Sequence, residues 1–213
     1  SFHSLKLLKM AIIHKRLLLA ALPFVSPVSS FVSPRQFLLS TAIASSSSYS
    51  TAIMAEVKVG DTLPDVAMKE LVTGADGPVE VKLTDLIKGK KVAIFGVPGA
   101  FTPGCSKSHL PSFMNAQREL KEKGVDLTIC VATNDAYVME AWGRTSGGAD
   151  AGIRFLADDS GALTKALGLE LPTPVLLRTK RFSLIAEDGK VTHYFSSAKQ
   201  SSDTWAPAVL SAL

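Results

Sequence analysis

Residues 91–124 read KVAIFGVPGAFTPGCSKSHLPSFMNAQRELKEKG and carry three structural signals in succession. The run Lys91–Val97 is rich in β-branched and aromatic residues and ends at a proline, which predicts a buried strand. From Cys105 to Lys123 the apolar residues recur at helical spacing, and Gly124 closes the pattern. The segment therefore predicts a strand, a turn rich in proline and glycine, and a helix whose first turn contains Cys105.

The sequence beyond this segment continues the alternation of strands and helices. Strands are predicted at Asp126–Ala132 and Ile153–Leu156, helices at Ala136–Trp142, Ser160–Leu167 and Thr204–Leu213, and a hairpin with strands Arg181–Ala186 and Val191–Phe195. Asn134 or Asp135 is the expected cap of the helix that begins at residue 136. Alternating strands and helices followed by a hairpin predict an α/β fold with a central mixed β-sheet flanked by helices.

The position of Cys105 favours thiol chemistry. A helix start presents unpaired N–H groups and partial positive charge, which favour the thiolate form of a cysteine. Thr102, three residues earlier, brings a hydroxyl that can donate to a thiolate or accept from a peroxide O–H. Peroxide reduction needs a thiolate and donors that stabilise the developing negative charge. An arginine is the natural donor, and periodicity does not identify which arginine folds back to this position.

The net charge of +4 is unevenly distributed along the chain. Of the 23 basic residues, five lie in residues 1–55, which contain no acidic residue. Residues 56–213 hold the other 18 basic residues and all 19 acidic ones. This part is therefore nearly neutral and lacks the basic surface typical of nucleic-acid-binding proteins, so no nucleic-acid partner is expected. Two cysteines are too few for a disulfide-stapled scaffold.

Residues 1–55 are predicted to be a targeting presequence that is removed, which leaves 56–213 as the working domain. A basic stretch and a short apolar run within residues 10–25 have the form of a signal peptide. This apolar run is too short to span a bilayer, and no membrane association is expected of the mature protein. Residues 31–52 are rich in serine and alanine, with one arginine and no acid, as is typical of a transit peptide.

The order of these two leader segments bears on localisation. A signal peptide followed by a transit peptide that begins with phenylalanine, here Phe31, resembles the two-part presequence of algal plastids bounded by extra membranes. The sequence therefore predicts a plastid protein. Mitochondrial import and ordinary secretion are the alternatives, because basic leaders without acidic residues resemble one another.

Three segments of the chain resemble one known family. PGAFTPGCSKSHLPSF at 98–113 closely resembles the active-site segment of type II, or type-5-like, peroxiredoxins. VATNDAYVMEAWGR at 131–144 and RTKRFSLIAEDGKV at 178–191 resemble two further family segments in the expected order. The resemblance covers essentially all of 56–213 and implies a thioredoxin-like fold.

The resemblance also implies roles for individual residues. Cys105 would be the peroxidatic cysteine, Thr102 would bond the sulfur and the peroxide, and Pro98 would cover the thiolate. Arg181 would complete the site, although a solvated strand arginine in the basic run 178–181 is the alternative. Arg178, His109 and Trp142 are expected to support the site. For His109 and Trp142, a role in packing alone is the alternative.

Cys130 lies 25 positions after Cys105, where plant-like type II peroxiredoxins have a second cysteine that is assigned the resolving role. The animal-like branch has its resolving cysteine near the C-terminus, where this chain has several serines and no cysteine, so the resemblance is to the plant and algal branch. Cys130 also falls in a predicted buried strand, where a free cysteine packs as a small apolar group. A disulfide needs Cα atoms within about 7 Å. A resolving role and a structural role both stay open.

The function implied by the resemblance is reduction of hydrogen peroxide and alkyl hydroperoxides, with regeneration by glutaredoxin and glutathione or by thioredoxin. No metal, haem or flavin is expected, and a homodimer is expected only by analogy with the family. A disulfide oxidoreductase of thioredoxin type is an alternative enzyme, but it would need Cys-x-x-Cys and residue 108 is serine. A peroxide-sensing redox signalling protein is the alternative outside enzymes.

Overall fold

The structure is a computed structural model that describes residues 55–213. The predicted presequence, except its last residue, lies outside the described residues. The strands are β1 Ala67–Glu70, β2 Val79–Lys82, β3 Lys91–Gly96, β4 Leu127–Ala132, β5 Ile153–Ala157, β6 Glu170–Leu171, β7 Arg178–Thr179, β8 Phe182–Glu187 and β9 Lys190–Ser196. The helices are α1 Leu83–Ile87, α2 Leu110–Glu122, α3 Ala136–Thr145, α4 Ala162–Ala166 and α5 Ala206–Ala212. A π-helical turn at Cys105–His109 precedes α2, and a 3₁₀ turn at Ser201–Thr204 precedes α5.

Seven strands form one mixed sheet in the order β2-β1-β5-β4-β3-β8-β9. β3, β4 and β5 are parallel to one another, whereas β8 is antiparallel to β3 and β1 is antiparallel to β5. β6 and β7 form a separate two-stranded ladder. The predicted thioredoxin-like fold with a central mixed sheet is confirmed.

The interior strand β3 is buried on both faces, because helices cover the two sides of the sheet. Ala93 and Phe95 belong to the core beneath α2, α3 and α5, and Val92 and Ile94 belong to the core beneath α1 and α4. All four side chains are at most 1% exposed. A continuous apolar run is what a parallel strand with two covered faces requires, and this explains the uninterrupted apolar sequence of Lys91–Val97.

The predicted elements are present with boundaries shifted by one to three residues in most cases. Asp135 is the cap of α3, since its carboxylate accepts a hydrogen bond from the Val138 amide at 2.9 Å. The predicted helix Cys105–Lys123 opens with a π-helical turn rather than an α-helical one. The strand predicted to begin at Arg181 begins at Phe182, so Arg181 lies in the connection between β7 and β8.

The region between residues 56 and 90 contains elements that the sequence did not reveal. β1, β2 and α1 lie there, and their short strands carry several exposed residues instead of a clear apolar pattern. In the part of the chain that the structure describes, no helix is both long and apolar enough to cross a membrane.

Candidate active site

Cys105 lies directly after the turn that follows β3, as the first residue of the π-helical turn. Its side chain is fully buried in this conformation. The turn comes close to a neighbouring side chain at Gly99, where a Cβ atom would lie 2.4 Å from Nη1 of Arg178. A larger residue at position 99 would displace the end of the Arg178 side chain from its present position against the turn.

The guanidinium of Arg181 joins two other members of the site. Its Nη2 donates a hydrogen bond to Sγ of Cys105 at 3.1 Å. Its Nη1 lies 2.9 Å from Nδ1 of His109. Arginine has five N–H donors in a fixed planar arrangement and no acceptor. Arg181 therefore places a permanent positive charge beside the sulfur of Cys105. The contact of its second N–H group with His109 sets the orientation of the guanidinium.

His109 is fully buried and is neutral over the physiological pH range. Burial, and after it the positive charge of Arg181, lowers the pKa of His109 to about 3, although the hydrogen bond with the Thr204 carbonyl opposes the shift. Because Arg181 can only donate, Nδ1 of the imidazole accepts and Nε2 carries the hydrogen. That Nε2–H donates to the main-chain carbonyl of Thr204 at 2.9 Å. His109 thus makes polar contacts on both sides of its ring, in addition to packing against Phe95 and Phe113.

Thr102 holds the turn in a way that the sequence did not predict. Its hydroxyl donates to the carbonyl of Gly99 at 2.9 Å, and its own carbonyl accepts from the amide of Ser106 at 2.9 Å. The expected hydrogen bond from this hydroxyl to the sulfur is not among the bonds of the described residues. With its hydrogen given to Gly99, the Thr102 oxygen still offers lone pairs to a donor such as a peroxide O–H.

Pro98 is fixed by its main-chain carbonyl, which accepts from Nη1 of Arg178 at 2.7 Å. The next part of the turn is fixed from the connection between β4 and α3, because the amide of Ala100 donates to the side-chain oxygen of Asn134 at 2.9 Å. Asn134 was a candidate helix cap, and Arg178 was expected to support the site. In the structure, both side chains hold the turn that precedes the cysteine.

Trp142 connects α3 to the residue that follows the cysteine. Its indole Nε1–H donates to the hydroxyl of Ser106 at 3.1 Å. The ring is buried and meets Phe155 edge-on, with centroids 5.7 Å apart. Trp142 is thus a packing residue with one polar contact to the first turn of the site.

Cys130 lies in the middle of β4, between Phe95 on β3 and Phe155 on β5. Burial raises the pKa of the Cys130 thiol well above its usual value, and the charge of Cys105 acts in the same direction, while Arg181 opposes it. Both cysteines are buried free thiols that belong to the same apolar core. The thiol of Cys130 therefore stays protonated while the fold is intact.

Two polar residues of this neighbourhood had no signal in the sequence. Ser183 on β8 and Thr204 in the 3₁₀ turn are buried and reach His109 from positions 74 and 95 residues away. Contacts at such separations follow from strand order, which a local pattern does not encode. Across residues 55–213, no cluster of three or more His, Cys, Asp or Glu side chains is arranged to hold a metal ion.

Comparison with known proteins gives a consistent result for sequence and structure. The family model for Redoxin matches residues 58–208. The chain is 48% identical over 142 residues to peroxiredoxin-2C of Oryza sativa subsp. japonica, a match that covers 65% of this chain and 86% of that protein. It is 36% identical over 192 residues to the chloroplastic peroxiredoxin-2E of Arabidopsis thaliana, covering 80% and 82%. The crystal structure of reduced Prx3 from Vibrio vulnificus in complex with hydrogen peroxide matches with a TM-score of 0.68 at 41% identity, over 73% of this chain and 98% of that one.

Proposed function

The chain belongs to the redoxin family, as a peroxiredoxin of the plant type II group, and from that premise we propose how its residues reduce a hydroperoxide. A peroxiredoxin is a thiol peroxidase that takes a hydroperoxide as substrate and a thiol as reductant. The observation that carries the assignment of residues is the 3.1 Å hydrogen bond from Arg181 to Sγ of Cys105. It pairs the cysteine of the Pro-x3-Thr-x2-Cys motif with a permanent cation.

Cys105 is the peroxidatic cysteine in this proposal. Its thiolate attacks one peroxide oxygen, an S–O bond forms and the O–O bond breaks. The electron pair of the broken bond leaves on the second oxygen, which takes a proton and departs as water or as an alcohol. The sulfur is oxidised to a sulfenic acid, and the peroxide is reduced.

Arg181 stabilises the negative charge during this step. Charge moves from the sulfur to the departing oxygen, and fixed donors aimed at that charge lower the barrier. The guanidinium of Arg181 already donates one hydrogen bond to the sulfur of Cys105, and its contact with His109 holds its orientation. Thr102 accepts the peroxide O–H, because its own hydrogen is given to Gly99. Pro98 covers the sulfur, and Arg178 holds that proline in place through its carbonyl.

Cys130 is a structural residue rather than the resolving cysteine. Attack on a sulfenic acid requires a thiolate, and the raised pKa of the buried Cys130 keeps it a thiol. Its strand is paired on both sides, so movement toward the helix start would break the central ladder. The reductant therefore comes from outside the chain. An external thiol displaces water from the sulfenic acid to give a mixed disulfide, and a second thiol resolves that disulfide and restores Cys105.

Glutathione with glutaredoxin, or thioredoxin, would supply these external thiols. A steady-state peroxidase assay with each reductant system supplied separately distinguishes them. In the same assay Cys105→Ser is expected to lose activity while its fold, followed by circular dichroism, is kept. Cys130→Ala is the matched control and is expected to retain the first turnover. Full activity of Cys105→Ser would contradict the proposal.

A homodimer is also proposed, supported by apolar side chains on the surface around the site. Phe101 is 57% exposed and Tyr137 is 60% exposed. Phe101 lies in the turn after β3 and Tyr137 lies in the first turn of α3, and the two segments are joined by the hydrogen bond between Ala100 and Asn134. Phe101 also keeps a left-handed backbone, with φ of 61°, that is uncommon for an aromatic residue. A second copy of the chain would cover these rings. Sedimentation equilibrium of Phe101→Ser beside the wild type tests this, and unchanged association would contradict it.

A plastid location is proposed for the protein, with a mitochondrial location as the alternative. The support is the acid-free leader and the similarity to a chloroplastic relative, which spans 80% of the chain and so extends beyond residues 55–213. Expression of residues 10–55 fused to a fluorescent protein tests the proposal. Fluorescence in mitochondria or outside the cell would overturn it.

A further inference from the structure

The carbonyl of Thr204 is a meeting point of two buried donors. It accepts the hydroxyl of Ser183 at 2.5 Å and the Nε2–H of His109 at 2.9 Å. All three residues are at most 1% exposed. Ser183 lies on β8, and Thr204 ends the 3₁₀ turn before α5, so this carbonyl ties the C-terminal segment to the interior of the site.

The hydroxyl of Ser183 donates its hydrogen to the carbonyl of Thr204. A carbonyl oxygen can only accept, so the short contact between Ser183 and Thr204 requires the hydroxyl to donate. The Ser183 oxygen then turns its lone pairs toward Nε2 of His109, which lies 3.5 Å away. Both polar atoms near Nε2 are thus acceptors, and Nε2 must carry the ring hydrogen.

The opposite side of the imidazole sets the same requirement. Arg181 has donors only, so Nδ1 must be without a hydrogen for the 2.9 Å contact to form. In the other neutral tautomer, Nδ1–H would face an Arg181 N–H, and Nε2 would face the Thr204 carbonyl with no hydrogen between them. Both contacts would be lost together, and Arg181 would no longer be held toward Sγ of Cys105.

The C-terminal segment also holds the main chain of the same histidine. The amide of Ala206 donates to the hydroxyl of Ser112 at 3.1 Å, and that hydroxyl donates to the carbonyl of His109 at 2.7 Å. The ring and the carbonyl of His109 are therefore both connected to residues 204–206. These contacts fix the position of the Thr204 carbonyl relative to the imidazole of His109, which donates a hydrogen bond to it.

We propose that Ser183 is a positioning residue of the peroxidase: by anchoring the Thr204 carbonyl it fixes the tautomer of His109, and through His109 it aims Arg181 at Cys105. The inference rests on the proposed role of Arg181. It assigns a function in the first step of the reaction to a buried serine and to the C-terminal segment, neither of which meets the sulfur or the peroxide.

The first test is the rate constant for oxidation of Cys105 by hydrogen peroxide, measured by stopped flow on the full chain. Ser183→Ala removes one neutral hydrogen bond and is expected to lower this rate constant about threefold to tenfold. Ser183→Thr keeps the hydroxyl and is expected to restore most of the rate. Ser211→Ala is the control, because Ser211 lies on the exposed side of α5 and its hydroxyl donates to the Ala208 carbonyl of the same helix.

The second test separates positioning from loss of packing. In a His109→Asn background there is no tautomer to fix, so adding Ser183→Ala is expected to change the rate less than about twofold. Selective ¹⁵N-histidine labelling gives a direct signature, with the His109 signals assigned by their loss in His109→Asn. In the wild type the Nε2 signal is expected to be that of a protonated nitrogen and Nδ1 that of a free acceptor. In Ser183→Ala the two signals are expected to move toward each other as the second tautomer is populated.

The possible results distinguish this inference from the proposed function. Unchanged nitrogen signals in Ser183→Ala, or an equal loss of rate with and without His109, would overturn the inference. Arg181 and Cys105 could still carry the reaction in that case. If Arg181→Lys were fully active, the proposed role of Arg181 would fail, and the inference would fail with it. Should Ser183→Ala be too unstable for kinetics, Ser112→Ala tests the same connection from the main-chain side.

Discussion

Arg181 donates a hydrogen bond to Sγ of Cys105 at 3.1 Å, although the two residues are 76 positions apart in the chain. The cause is the pairing of β3 with β8. Gly96 is the register partner of Phe182 in this antiparallel pair, so the residue before β8 lies opposite the turn after β3. The cysteine at the helix start and the arginine at the strand start meet for that reason.

Replacement of Arg181 by lysine is expected to lower the rate constant for peroxide oxidation of Cys105 about a hundredfold. Lysine keeps the charge, but a single ammonium group cannot contact the sulfur and Nδ1 of His109 in the planar arrangement that arginine provides. Stopped-flow oxidation with hydrogen peroxide measures the effect. Lys180→Ala is the control, since it removes the adjacent, half-exposed cation that pairs with Glu56. Equal rates for the wild type and Arg181→Lys would contradict the prediction.

Gly99→Ala is expected to destabilise the protein by about 1 kcal/mol, the contribution of the hydrogen bond that the displaced Arg178 gives up, and to slow peroxide reduction. The new methyl group would lie 2.4 Å from Nη1 of Arg178, which must then leave the carbonyl of Pro98. Urea unfolding and the peroxidase assay measure the two effects. Gly77→Ala is the matched control, because a Cβ there meets nothing within 4 Å.

A second variant makes the Gly99 test specific. In an Arg178→Ala background the 2.4 Å contact is absent and the nearest atom is Cγ2 of Thr102 at 3.3 Å, so Gly99→Ala should cost less stability than in the wild type. Additive effects of the two substitutions on the free energy of unfolding would show that the close approach of Arg178 is not what requires glycine.

The stability of the protein is expected to fall as the pH drops below about 6.5, and His109 is the cause. The pKa of this buried base is about 3 in the folded state, against 6.5 for an ordinary histidine. Between these values the unfolded chain binds a proton that the folded chain does not, so the free energy of unfolding decreases with falling pH. Between pH 3 and 6.5, His109 changes the free energy of unfolding by about 1.4 kcal/mol per pH unit. Above pH 6.5 it adds no pH dependence to the free energy of unfolding.

Urea unfolding at several pH values between 7.5 and 4.5 measures this contribution. His109→Asn should lose it, so the difference in unfolding free energy between wild type and variant should shrink by about 2.7 kcal/mol as the pH falls from 7.5 to 4.5. His193→Asn is the control for removing a histidine, because His193 lies on β9 outside the Arg181–His109–Thr204 connection. Parallel pH curves for the wild type and His109→Asn would count against the assignment.

Cys130→Ala is expected to leave peroxidase turnover with glutathione and glutaredoxin within about twofold of the wild type, with a stability loss of about 1 kcal/mol from the small cavity. Mass spectrometry after one equivalent of peroxide should find a sulfenic acid on Cys105 in both proteins. Recovery of a Cys105–Cys130 disulfide from the folded wild type would contradict the structural role.

The sequence alone identified the part of the site that is local in the chain. β3, the turn and the helix start occupy consecutive residues between 91 and 110, and their spacing places Cys105 and Thr102. The buried strands were equally clear, since a continuous apolar run reports two covered faces. The short elements between residues 56 and 90 were missed, because β1 and β2 lie toward one edge of the sheet and bury few of their side chains.

The tertiary structure decided everything that depends on strand order and burial. The chemistry of a thiolate called for an arginine donor and only the family resemblance pointed to Arg181, whereas the register of β3 with β8 is what brings Arg181 to the sulfur. Whether His109 packs or positions depends on partners 72 and 95 residues away, and the state of Cys130 depends on complete burial in β4. Local patterns specify which residues form a strand or a helix start, whereas the contacts between distant segments exist only once the sheet has assembled.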